Sequence, residues 1–182
     1  MEIDRFLGAT RIAAKLDRAA NERQRAMLEV VRTHMEAEAR LDLDGLLDGQ
    51  VDEPRYHIWG SGRDTGPKGR DAVIRYYSDL VAARRGILEY DIERIVVDDD
   101  AVVTEGDIRA LQPGTVARDF GYDVDDVDAT YLVRYRALVI WPFDEAGRML
   151  GEDGYGGVHP EDATRVDPDE LPEAYLAQFA GT

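Results

Sequence analysis

The chain contains no cysteine. A disulfide framework, a thiolate metal site and a cysteine nucleophile are thereby excluded. No apolar run approaches the ~18 residues that a membrane-spanning helix requires. The N-terminal stretch MEIDRFLGATR is charged and helical in pattern rather than secretory. No Gly-x-Gly-x-x-Gly, Walker or Gly-x-Ser-x-Gly motif is present, so nothing points to nucleotide binding or an elbow serine. Positive charge is scarce. The formal net charge is −16, which argues against nucleic acid or an anionic membrane as a partner. Of the 22 basic residues only Lys15 and Lys68 are lysine. That bias accompanies GC-rich bacterial genomes, an association rather than a mechanism, and a cytoplasmic bacterial protein is expected.

What is present is an ordinary globular composition. The 182 residues are 44% hydrophobic and 33% charged, too apolar for a disordered chain. The length suits one domain with a helical extension. Ile3, Phe6, Leu7, Ala13 and Leu16 have roughly helical spacing over residues 2–19. Met27, Val31, His34, Glu38 and Leu41 mark one face of a long helix over about 22–41. Tyr56 to Trp59 reads as a short strand stopped by Gly60-Ser61-Gly62. The loop Arg63 to Gly69 carries strong turn chemistry. A further helix starts near Arg70, with Asp71 near its positive end. Strands follow over about 87–97, 101–112 and 131–141, and a last one runs to about Tyr155. An acidic stretch, Asp119 to Asp128, separates the second and third of these. The tail ends in a short amphipathic helix with Leu176 and Phe179. The predicted division is an extension over 1–21, a main domain over 22–157 and a tail over 158–182.

Helices first and antiparallel strands later mean an α+β fold. A curved sheet wrapped on one long helix would leave a cone-shaped cavity, suited to a small apolar metabolite. The long apolar strand Tyr131–Trp141 has more large side chains than one cavity needs. A homodimer through the exposed sheet face is therefore expected.

Three stretches carry a family resemblance. They are Leu41-Asp42-Leu43-Asp44-Gly45-Leu46-Leu47, Lys68-Gly69-Arg70-Asp71 running to Tyr76-Tyr77, and Phe143-Asp144-Glu145-Ala146-Gly147-Arg148-Met149 followed by Tyr155. With the element order they cover roughly residues 22–157. The chain resembles the nuclear transport factor 2-like superfamily, which includes SnoaL-like polyketide cyclases, ketosteroid isomerases and limonene epoxide hydrolases. The resemblance implies the fold and leaves the reaction open, because this fold hosts many. The isomerases place a tyrosine eight residues before the first Asp of the first stretch, and here that position is His34. Their base aspartate would fall near Ile58 to Gly60, where no carboxylate stands; the nearest is Asp64. Their second oxyanion donor would fall at Val139. Steroid isomerisation by that mechanism is therefore not expected. The epoxide hydrolases need two carboxylates and an arginine, types supplied by Glu105, Asp107, Arg109 and Asp153.

The candidate proton carriers are His34 and His57, with Asp153 and Glu105 as their carboxylate partners. A buried histidine near a carboxylate can act as acid or base near neutral pH. Glu38, one turn beyond His34, would hold its imidazole in one tautomer. The same pattern fits a core histidine bonded to Glu38. His57 and Trp59 share one face of the short strand, at a cavity mouth or merely packed under the loop. Glu105, Asp107 and Arg109 form a cavity row or a solvent face of charge pairs. Asp153 in a greasy cavity would have a raised pKa, and a surface position fits it equally. Trp59, Tyr76, Tyr77, Tyr135 and Glu38 are the expected substrate-binding walls. The run Asp123 to Asp128 lacks the glycine and distal glutamate of a calcium loop. His34, His57 and His159 are too scattered for a metal site, and no metal or cofactor is expected.

Three functions fit these residues. The first is a cofactor-free acid/base enzyme, an isomerase, cyclase, dehydratase or epoxide hydrolase. The second is a non-catalytic binding or dimerisation module. The third is the small structural subunit of a ring-hydroxylating dioxygenase, which shares this fold.

Overall fold

The computed structural model describes residues 1–60 and 62–177. Helix α1 is Leu7–Leu16, shorter than the periodicity suggests, and packs on α2 and β2. Helix α2 is Glu22–Arg40. Asn21 caps it, Oδ1 accepting the Gln24 N–H at 2.8 Å, which satisfies one of the free donors of the first turn. Leu41, at φ 58, closes it. The Asp42 carboxylate then accepts the Gly45 N–H at 3.1 Å, folding Gly45–Leu47 into a 3₁₀ turn. Strand β1 is His57–Ile58 and helix α3 is Arg70–Ala82, with Asp71 in its first turn as expected. Strands β2 (Leu88–Val97) and β3 (Ala101–Pro113) follow. Helix α4 (Gly114–Asp119) was not expected; six residues are too few to show a period. Strands β4 (Thr130–Pro142), β5 (Asp153–Gly156) and β6 (Ala163–Arg165) and helix α5 (Glu173–Leu176) complete the chain. Phe179 lies outside the described residues.

The fold is α+β, with one curved, unclosed sheet. The strand order is β1-β5-β4-β3-β2, and β6 also pairs with β4. All pairs are antiparallel except β1 with β5. The main core fills the space between the sheet and α1 and α2. Ile12, Met27, Leu28, Val31, Val102, Trp141 and Met149 are buried together there. Tyr175 of α5 packs with Leu111, Leu132 and Val166, so the tail covers part of the outer sheet face. Among the described residues no helix is long and apolar enough to cross a membrane.

The curvature has a local cause. The β2–β3 register shifts between Ile92 and Arg94, opposite Gly106. A bulge of this kind bends the strand and increases its twist. Gly106 is what lets the strands close up: an added Cβ would lie 2.1 Å from Asp91 O and 2.8 Å from Ile92 Cα. Backbone atoms cannot rotate away. Gly106→Ala should therefore cost about 2–3 kcal/mol, read by urea denaturation. A loss under ~0.5 kcal/mol, the range of harmless surface changes, would contradict it.

Candidate functional site: two carboxylates in one cavity

Between α2, α3 and the sheet lies an open cavity of about 460 Å³. A smaller chamber of about 160 Å³ adjoins it beneath α1. Both chambers have Glu38, Tyr76, Arg85, Tyr135 and Glu152 in their walls. The rest of the lining is largely apolar or aromatic, including Ile108 and Val139.

His34 anchors this wall from behind. It is fully buried. Its Nδ1 lies 2.9 Å from Leu46 O. A carbonyl only accepts, so Nδ1 carries a proton and donates it. The Asp42–Gly45 turn is what brings that carbonyl beneath the helix. Nε2 lies 2.8 Å from Glu152 Oε1. The Tyr77 hydroxyl donates to the same Oε1 at 3.0 Å and sits 3.3 Å from Nε2. Behind them Gln50 Nε2 donates to Leu46 O at 2.7 Å and to the Tyr56 hydroxyl at 2.9 Å.

Glu152 precedes β5, and glycine makes its approach possible. Gly151 has φ +149, and a Cβ there would meet Arg55 O at 1.9 Å. The chain thus passes close enough to Arg55 for His57 N–H to donate to Glu152 O at 2.7 Å.

The two carboxylates stand in different electrostatic settings. Glu38 is pushed up to about 7, first by desolvation and then by the Glu152 charge, with His34 opposing. For His34, desolvation favours the neutral ring. The hydrogen bond and charge of Glu152, the charge of Glu38 and the Leu46 carbonyl outweigh it, and the net shift is upward. Burial also raises the phenols of Tyr56, Tyr76 and Tyr77, Tyr76 to about 12, so all three remain protonated donors.

Several expected positions need correction. His34 does not face the cavity; it stands one layer behind, in contact with Glu152 and Tyr77, which do line it. Its imidazole is held by Leu46 and Glu152 rather than by Glu38. Glu105 lies on the outer sheet face, ion-paired with Arg94 and Arg136, and Asp107 joins the same Arg136 cluster. Asp153 is not in the cavity wall. His57 pairs with Asp153 and Ile58 with Gly154. By strand alternation His57, Trp59, Asp153 and Tyr155 share one face, and Tyr56, Ile58, Glu152 and Gly154 share the other. The cavity takes its carboxylate from the second set, one residue off the expected face. Asp153 is raised by desolvation against the opposing charges of His57 and Lys68. Trp59 is exposed and stacks between His57 and Tyr155 outside the wall.

His57 reaches the cavity rim, with Nδ1 2.8 Å from Asp64 Oδ2. Asp64 also binds Lys68 at 2.8 Å and the Ile58 and Gly66 N–H groups. These contacts, Lys68 foremost, hold its carboxyl well below the usual range. Tyr76, Tyr77, Tyr135 and Glu38 line the cavity. Glu152 and Arg85 were missed by sequence reasoning. Only the strand's parity could have flagged Glu152, and a helix-terminating turn places Arg85. Among the described residues no cluster of three His, Asp or Glu could hold a metal.

The model of the SnoaL-like domain matches residues 31–148. The chain belongs to the SnoaL-like domain family. Among curated proteins none matches it. Solved structures share the fold at low identity. A candidate SnoaL-like polyketide cyclase from Shewanella putrefaciens CN-32 has a TM-score of 0.59 at 14% identity, covering 80% of this chain and 86% of that one. An epoxide hydrolase/cyclase-like enzyme of pyran ring formation in the polyether salinomycin scores 0.54 at 13% identity, covering 77% and 95%. An NTF2-like protein of unknown function from Burkholderia pseudomallei K96243 scores 0.52 at 16% identity, covering 71% and 89%. The SnoaL-like match begins at residue 31, so α1 lies outside it.

The raised Glu38 makes stability depend on pH. Its folded-state value near 7 lies above its ordinary 4.5, so the folded protein binds the proton more tightly. Stability is full below about 4.5 and falls as pH rises to about 7, by at most ~1.4 kcal/mol per unit. His34 acts in the same direction, losing its contribution as pH rises through its raised value. Glu38→Gln should stabilise the fold by about 1–3 kcal/mol at pH 8 and little at pH 5. Thermal melts at the two pH values check this; an equal effect at both would contradict it.

Proposed function

We propose that this SnoaL-like protein is an acid/base enzyme acting on a small, largely apolar molecule in the cavity. One observation carries the reading: two carboxylates stand in the largely apolar wall shared by both chambers, and one of them is pushed to about 7. Pairs of titratable groups driven apart by their surroundings are the usual basis for dividing acid and base roles. Glu38 is the acid and donates its proton to a developing oxyanion. Glu152 is the base and accepts a proton from a carbon acid or hydroxyl group. His34 and Tyr77 are positioning residues that orient Glu152. A proton taken at one atom and given at another is the requirement of an isomerisation, a ring closure or an epoxide opening. The cyclase relatives named above fit within this class. A cavity packed with its own side chains would favour a non-catalytic module, whereas this one has an open volume of about 460 Å³.

A panel of small apolar ketones, hydroxy-epoxides and polyketide-like aldols, followed by mass spectrometry in deuterated water, tests the reading. Turnover with deuterium incorporation or ring closure is expected. Glu38→Gln and Glu152→Gln should each lower it about 10²–10⁴-fold without loss of the fold. His34→Gln should lower it less and displace the pH profile. Full turnover in both carboxylate variants would overturn the assignment.

The second proposal is a homodimer through the outer sheet face. Val96 there is 53% exposed, and Val103, Leu138 and Ile140 on the adjacent strands are partly exposed. Light scattering should give about 41 kDa, twice the 20.4 kDa chain, and Val96→Glu should halve it. A 20.4 kDa species for the unaltered protein at micromolar concentration would contradict the pairing.

A further inference from the structure

The chain carries 38 acidic and 22 basic residues, and among the described residues ten arginines are ion-paired with a carboxylate. Two in the cavity wall do not use one. Among the described residues, Arg5 and Arg85 form no ion pair and no side-chain hydrogen bond. Buried nitrogens of both, Nε and Nη2 of Arg5 and Nε of Arg85, are left without partners. Unpaired buried guanidinium N–H groups are costly, and folding alone would not select them in so acidic a chain.

Both arginines are held in place by the backbone. Helix α3 ends in a Schellman-type turn: Arg84 adopts φ 59, its N–H reaches Val81 O at 2.9 Å and the Arg85 N–H reaches Leu80 O at 3.0 Å. A non-glycine residue at that φ is strained, and the turn delivers Arg85 to the junction of the two chambers. There its guanidinium lies 4.3 Å over the Phe120 ring, which fixes its plane. Arg5 enters the inner chamber from the segment before α1, outside the SnoaL-like match. That segment is tied down by the Asp4 N–H to Glu89 Oε2 at 2.8 Å. The phenols of Tyr76 and Tyr135 also lie in these walls. The Arg85 charge acts on both, and no hydrogen bond to a described residue occupies either hydroxyl. Gln112, buried in the same wall, leaves Oε1 unpartnered.

The carboxylates near the guanidiniums are engaged elsewhere or partly protonated. Glu152 Oε1 is already engaged by His34 Nε2 and by the Tyr77 hydroxyl. Glu38 is neutral over part of the physiological range. Asp119, at the mouth, is exposed and lies 3.7 Å from Arg118. Arg5 and Arg85 are the guanidiniums of these walls, and among the described residues neither has a carboxylate partner.

We infer that the cavity takes an organic acid: a planar carboxylate held by Arg85, with Arg5 behind it and the Tyr76 and Tyr135 hydroxyls donating, and an apolar body filling the outer chamber. This deepens the acid/base reading above and rests on the cavity being the ligand site. A guanidinium matches a carboxylate with two parallel N–H donors, which is why the carboxylate is the favoured anion.

Calorimetric titration with matched pairs tests the inference: 2-naphthoate against 2-naphthamide, and decanoate against decanamide. For at least one pair the acid should bind at least ten-fold more tightly than its amide. Arg85→Gln should remove that preference by weakening the acid far more than the amide, and Arg85→Lys should restore part of it. Arg5→Gln should reduce it by a smaller factor. Melting curves confirm that the variants are folded. If acid and amide bind alike, or the preference survives in the Arg5→Gln, Arg85→Gln double variant, the anion inference fails and the acid/base reading stands. If neither acid nor amide binds, both fail together.

Discussion

The buried imidazole of His34 ties together three parts of the chain that are far apart in sequence. Nδ1–H is committed to Leu46 O, which leaves Nε2 for Glu152. Long helix, 3₁₀ turn and the start of β5 therefore meet at one ring. An imidazole removed from water at such a point needs partners on both nitrogens. The Asp42–Gly45 turn supplies one and the Gly151 approach the other. Each of the two thus fixes one side of the ring that contacts the Glu152 carboxylate. The hydroxyl of Tyr77 makes the arrangement a triangle, with Oε1 receiving from both His34 and Tyr77.

The chemistry of Glu38 follows from that arrangement. Glu38 sits one turn beyond His34 on α2, with no direct bond to it. Its carboxyl is raised because it is buried away from solvent and because the Glu152 charge lies nearby. The effect is Coulombic and desolvation-driven, so it requires no contact. In the proposed reading, the carboxyl of Glu38 and the hydrogen-bonded carboxylate of Glu152, both in the cavity wall, are the acid/base pair.

Much of the fold was legible in the sequence. The 3.6-residue period marks α2, the start near Arg70 marks α3, and the long apolar run marks β4. The inward placing of His34 on α2 was legible as well, from its spacing with Met27 and Val31; its place behind the cavity wall was not. What the sequence did not reveal is which side of a strand faces inward. Strands β1 and β5 are two and four residues long, too short for an alternation to show. A one-residue change of parity moves the cavity carboxylate from Asp153 to Glu152. Glu105 sits in a strand whose alternation is clear, but alternation alone does not say which set is buried. The partners Arg94 and Arg136, which settle it, are tertiary contacts. Arg85 was invisible for a related reason: an unpaired guanidinium can be recognised only once all possible partners have been placed.

The most direct measurement is the carboxyl titration of Glu38 itself. In protein labelled with ¹³C at glutamate carboxyl carbons, one resonance should be missing from the Glu38→Gln variant and thereby be assigned. The account predicts that this resonance titrates with a midpoint of about 7. A midpoint at the ordinary glutamate value near 4.5 would mean that neither the cavity nor Glu152 perturbs Glu38, and the acid/base pair would lose its physical basis.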